Sequence, residues 1–158
     1  MVRLMRFSSA WRSLLILALA SLSVSAAPAK IIKVLPHLLD QEGRHTLSPS
    51  LYERDAYQAW LRKNADECSA LRFDIQWKAL SSAASAFRLR LELRTSQGDT
   101  GRRVVLEQAV QRRGWFSTWS SITLAGDDFK KAGTIVSWRA TLWNGDRQVA
   151  EQKSFLWP

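Results

Sequence analysis

The chain has 158 residues, 46% of them hydrophobic and 23% charged, and 23 Lys and Arg against 14 Asp and Glu leave a net charge of +9. Its single cysteine, Cys68, excludes an intramolecular disulfide, so stability must come from a packed core. Two histidines without any C-x-x-C spacing do not make up a metal-ligand set.

Arg3, Arg6 and Arg12 precede an apolar run from Leu14 to Leu22, followed by the small residues SVSAAPA. A basic start, a short apolar run and a small-x-small site describe a secretory signal peptide over residues 1–26, cleaved after Ala26. The run falls short of the about 20 apolar residues that span a bilayer, which ranks a retained membrane anchor second. Cleavage leaves 132 residues, a single domain over 27–158 with no transmembrane segment, and lowers the net charge to +6 by removing three arginines and no acid. The expected location is secreted or periplasmic. A basic surface there meets an envelope protein or an anionic envelope polymer or glycan, and not nucleic acid.

KIIKVLPHLLD reads as a first strand, in which Pro36 suits an edge or a bulge. SPSLYERDAYQAWLR follows, with Ser50 and Glu53 at capping-box spacing, and predicts a helix from Leu51 to about Lys63. Tyr52, Ala56, Ala59 and Trp60 then form a stripe expected to be buried, with Arg54, Gln58 and Arg62 on the far side. The alternative is that Arg54 and Tyr57 line a recognition surface. LRFDIQWKA and FRLRLELRT alternate apolar and polar residues without error and predict strands buried on one face only, separated by SSAAS. SQGDTG is a turn by composition. RRVVLEQAVQ and WFSTWSSITL are less regular strands, the second carrying a bulge because Trp119 and Ile122 break its alternation. AGDDFKKAG reads as a loop. TIVSWRATLW and RQVAEQKSFLW flank Asn144-Gly145-Asp146, a hairpin. A three-residue loop, the preferred register, sets Arg139 opposite Glu151; a two-residue loop shifts every pairing by one. The predicted fold is all-β: a single antiparallel β-sandwich of about seven strands, with one short helix (about residues 50–63) between the first and second strands.

From Leu124 to Trp157, a Leu-x-Gly corner, a Trp-centred strand and a closing hairpin resemble immunoglobulin-like and fibronectin type III-like domains. The resemblance covers the last part of the chain and implies a fold only, since such sandwiches carry many unrelated functions.

No nucleophile motif or phosphate loop is present, so no catalytic residue and no cofactor is assigned and the protein is read as non-enzymatic. His37 and His45 are expected in a surface loop, and Asp74 and Glu92 on wet strand faces. Trp77 and Trp138 lie mid-strand and are read as core. Trp115 and Trp143 near strand ends, with Tyr57 and Arg54, and the arginines Arg88, Arg90, Arg94, Arg112 and Arg113, make up the candidate binding surface. The expected function is an exported binding or interaction module. The first alternative is carbohydrate recognition through Trp115, Trp143 and Tyr57, by stacking of rings on sugars. The second is a glycan- or peptide-directed hydrolase using Asp40 and Glu42.

Overall fold

The structure is a computed structural model that describes residues 29–79, 86–96, 102–113 and 116–158. The proposed signal peptide, SSAAS, most of the SQGDTG turn, and Trp115 lie outside the described residues. In chain order the elements are β1 (Ala29–Asp40), α1 (Leu51–Lys63), a 3-10 turn (Ala65–Glu67), β2 (Cys68–Ala79), β3 (Ala86–Thr95), β4 (Arg103–Gln111), β5 (Thr118–Ala125), α2 (Gly126–Ala132), β6 (Ile135–Asn144) and β7 (Arg147–Lys153). Two antiparallel sheets result, one of three strands in the order β1-β2-β5 and one of four in the order β4-β3-β6-β7.

The period of two in β2 and β3 builds the core. Phe73, Ile75 and Trp77 from the first sheet and Leu89, Leu91 and Leu93 from the second are completely buried between the layers. Trp77 tolerates full burial because its indole N–H donates to the Ser120 hydroxyl at 3.0 Å, and its ring meets Phe87 edge-on at 5.4 Å. Trp138 is half-buried and packs against this core.

β1 is an edge strand, as Pro36 suggested, and it bulges between Ile31 and Lys33 and between Leu39 and Asp40. Leu38 turns its backbone N–H and C=O away from β2, toward α1. Pro36, two residues earlier, therefore faces its nitrogen the same way, where the missing N–H removes no ladder bond.

The structure differs from the sequence reading in four local features. AGDDFKKAG contains a helix, α2: Asp127 and Asp128 in its first turn and Lys130 and Lys131 in its last complement the helix dipole, and Ala132 is buried. β5 pairs with β2 without a bulge, since Thr118, Ile122 and Leu124 face inward and Trp119 simply faces out. The final hairpin has a two-residue loop, Gly145-Asp146, between the paired Asn144 and Arg147, and Gly145 adopts φ 59°, which glycine takes without strain. A bulge between Leu142 and Trp143 then sets Arg139 opposite Lys153 and Thr141 opposite Glu151, so Arg139 reaches Glu151 only diagonally, at 4.0 Å.

The fourth difference is the orientation of α1. Its span, Leu51–Lys63, matches the prediction, but Ser50 at the N-cap makes no side-chain capping bond. Tyr52 is 83% exposed and Trp60 44% exposed, so the aromatic stripe faces water. The face turned to the sandwich is Arg54, Tyr57, Gln58 and Leu61, at i, i+3, i+4 and i+7. The reason is what the helix covers: a strand edge made of backbone amides, which needs polar partners. Gln58 supplies them, accepting from Leu38 N–H at 2.9 Å and donating to the carbonyls of Leu38 at 2.9 Å and His45 at 2.8 Å.

Candidate functional site

Two polar faces stand out, one on the outside of each sheet. On the four-stranded sheet, Arg88, Arg90, Glu92 and Arg94 alternate outward along β3, as their spacing predicted. Register places Arg103 of β4 across from Arg94, and Arg139 of β6 across from both Glu92 and Lys153 of β7. Like charges thus sit directly opposite one another twice, an arrangement that weakens strand pairing unless a counter-ion is near.

Glu92 is that counter-ion within the fold. It is not on a wet face but 2% exposed, covered by the long side chains around it. Arg139 donates to its two oxygens at 2.9 and 3.0 Å, Arg103 also donates to it, and Arg90 Nε lies 3.2 Å away. Burial pushes the Glu92 carboxyl up, but the hydrogen bonds and charges of Arg139 and Arg103 outweigh it and hold it below the ordinary glutamate value. Arg88 and Arg90 approach Glu107 at 3.8 and 3.6 Å. Two Trp rings frame the face: the Arg88 guanidinium lies 5.8 Å from the Trp143 ring centre and that of Arg139 lies 5.2 Å from Trp157. Trp143 is half-buried and donates its indole N–H to Thr141 at 2.9 Å.

The outer face of the three-stranded sheet carries a second cluster. His37 is in β1, not a loop, and 8% exposed; its ring lies 5.0 Å from that of His45. Asp74 gathers Arg72 at 3.0 Å, the Ser121 hydroxyl at 2.6 Å and His37 Nε2 at 3.7 Å. Arg72 also meets His45 Nδ1 at 3.2 Å. Burial lowers the pKa of both histidines, and the Arg72 charge adds to the effect. A Ser, a His and an Asp meet here, but the serine donates to the aspartate and not to the histidine, so the order differs from that of a Ser-His-Asp triad.

Below this cluster, Asp40 is 3% exposed and accepts from the Tyr57 hydroxyl at 2.7 Å, from Arg44 Nε at 2.8 Å and from the Arg44 backbone N–H at 2.7 Å. Burial pushes its carboxyl up, but these bonds prevail and bring the pKa down to about 2. Such a group stays a carboxylate at any physiological pH and cannot deliver a proton as a general acid. Glu42 is exposed and bound to Arg44 at 2.8 Å. Among the described residues, no group of three or more His, Cys, Asp or Glu is placed to hold a metal, and no helix is long and apolar enough to cross a membrane.

Of the nine residues singled out by sequence, Arg88, Arg90, Arg94 and Trp143 come together on the four-stranded face. Arg54 and Tyr57 do not join them, because they face the edge of β1. Arg112 donates to the Ala79 carbonyl at 3.3 Å and so ties β4's end to β2, while Arg113 is exposed and its backbone N–H donates to the Thr118 hydroxyl at 3.2 Å. Trp115 is outside the described residues. Sequence reasoning missed Arg139, Lys153 and Trp157 as members of this face, since only the cross-strand register brings them to β3, whereas Arg103 was legible as one of the arginines bracketing β4.

The two sheets and their polar outer faces define a two-layer antiparallel β-sandwich with a cation-rich face and a helix-covered edge. Comparison with family models, curated proteins and solved structures found no match to the chain. The likeness to immunoglobulin-like and fibronectin type III-like domains therefore rests on strand pattern alone and carries no ligand with it.

Proposed function

We propose that the protein is an exported, non-catalytic binding module whose partner is an anionic envelope polymer, held on the outer face of the four-stranded sheet. The supporting observation is the pair of like-charge juxtapositions, Arg94 opposite Arg103 and Arg139 opposite Lys153, on one continuous sheet face. Glu92 and Glu107 neutralise the middle of the grid and leave its ends cationic. Arg94 and Lys153 form no ion pair with any described acid. A chain of regularly spaced carboxylates, sulfates or phosphates supplies partners to Arg94 and Lys153 at once, and arginine suits such groups through its planar fork of donors. Sugar stacking is the weaker reading here, because the guanidinium of Arg88 already lies against the Trp143 ring and Tyr57 is engaged elsewhere.

Co-sedimentation of the mature chain with polygalacturonate and with dextran sulfate tests this, with neutral dextran as the control. Binding is expected to the two polyanions only and to weaken as salt rises from 0.05 to 0.5 M, because exposed charges are screened over a few ångströms at high ionic strength. Arg94→Glu with Lys153→Glu should abolish it without lowering the melting temperature. Equal retention on neutral dextran, or no effect of the two substitutions, would refute the assignment.

A further inference from the structure

A cleft separate from the cationic face opens at the end of the sandwich where β1 finishes and β6 begins. The two sheets there enclose a cleft of about 1500 Å³ that opens to solvent. Small-molecule sites usually offer about 300–1,000 Å³, so the space suffices for one small ligand. Leu38 from one sheet, Ile135 and Trp138 from the other, and Phe129 of α2 form an apolar wall, with the buried Leu61 and Phe73 behind it. Two exposed cations, Arg62 and Lys130, also line the cleft, against a single acid, Asp66, and neither cation is ion-paired with a described residue. Past the end of β7, Phe155 and Leu156 line it too, yet Phe155 is 100% and Leu156 65% exposed. Apolar side chains left in water beside an apolar cleft gain burial when a ligand seated there meets them.

We propose that this cleft binds an acyl chain carrying an anionic head group, the chain lying between the sheets and the head resting on Arg62 and Lys130. An unbranched chain suits a slot walled by leucine and aromatic side chains on both sides. An uncapped alkane would leave the two cations without a role. Phe155 and Leu156 close over the chain once it is seated. Cys68 also lines the cleft as a buried thiol, so its reactivity reports whether the space is filled.

The test uses the mature full chain and 9,10-dibromostearate, whose bromines quench indole emission on contact. Saturable quenching at one equivalent is expected, with most of it lost in Trp138→Phe. Palmitate and a monoacyl phosphate, each at saturation, should slow maleimide labelling of Cys68. Arg62→Glu with Lys130→Glu, both at exposed positions, should weaken the two anionic ligands about tenfold and leave hexadecanol unchanged. If palmitate alone responds to the charge reversal, the head is a carboxylate; if the monoacyl phosphate alone responds, it is a phosphate, and either result supports the site. Absence of saturable quenching below the micelle concentration overturns the proposal, and so does quenching that survives Trp138→Phe with Cys68 unprotected. A concentration-dependent dimer that blocks dibromostearate and is lost in Phe155→Ser also overturns it, by naming a second copy's tail as the occupant.

Discussion

Glu92 on β3 and Gln58 on α1 are both almost wholly buried, at 2% and 4% exposure, and neither belongs to the hydrophobic core. The first is held by charge: three arginines from β3, β4 and β6 surround one carboxylate. The second is held by amide geometry, one neutral side chain matching the donor and acceptor of a strand edge. A charge junction tolerates a displaced partner but leaves like charges facing one another when its single acid goes. An amide junction is indifferent to ionic strength and fails when its position is lost.

The largest effect is expected at the charge junction. Removing one partner of a buried ionic group costs about 3–5 kcal/mol, and the arginines' access to solvent places Glu92→Ala near the lower end. Chemical denaturation should show the loss, and salt should partly restore it by screening the arginines. A loss under about 1 kcal/mol would mean that solvent alone keeps the arginines apart. Gln58→Leu should cost about 1–3 kcal/mol by leaving the Leu38 amide and carbonyl unpaired, with no salt dependence. If the two substitutions respond alike to salt, the contrast drawn between them fails.

Acid separates the two regions further. His37 and His45 titrate below the ordinary 6.5 in the folded chain, so the unfolded chain binds their protons first and stability falls as pH drops below 6.5. Asp40, at about 2 instead of 3.8, contributes stability above pH 3.8 that disappears as pH falls toward 2. Melting temperatures across pH should therefore decline in two stages, and His37→Asn should flatten the upper stage while sparing the lower. The smallest effects are expected on the outer face of α1. Ser50→Ala should stay within about 0.5 kcal/mol because its side chain caps nothing, and Trp60→Ala should cost about 1 kcal/mol through its stacking on Tyr57.

The strands were legible because β2 and β3 alternate over their whole length, and alternation in a half-buried strand has one physical solution. The helix was legible in extent, from its spacing and its flanking Ser50 and Lys63, but not in orientation. Amphipathic logic assumes that a helix buries its apolar stripe against an apolar surface. α1 instead meets the backbone of β1, so Gln58 goes in and Tyr52 stays out. The hairpin was visible in Asn144-Gly145-Asp146, whereas its register depended on a bulge at Leu142 and Trp143 that no local residue announces. The same holds for the cationic face: Arg88, Arg90 and Arg94 share a face by parity, but Arg103, Arg139 and Lys153 join them through pairings that the sequence does not number. His37 falls within the strand read from KIIKVLPHLLD and not in a surface loop, but its burial was not legible, because Arg72, Asp74 and Ser121, which surround that position, come from β2 and β5.

The amide of Gln58 on the edge of β1 bears on what the protein does when crowded. An unpaired strand edge is a template for another chain, and strands in sheets left open at the rim associate through it into ordered aggregates. One glutamine, bonded to both polar groups of Leu38, occupies the site where an incoming strand would start its ladder, and Pro36 denies it the next donor. The helix that carries Gln58 thus covers a stretch of edge that would otherwise be open to another strand.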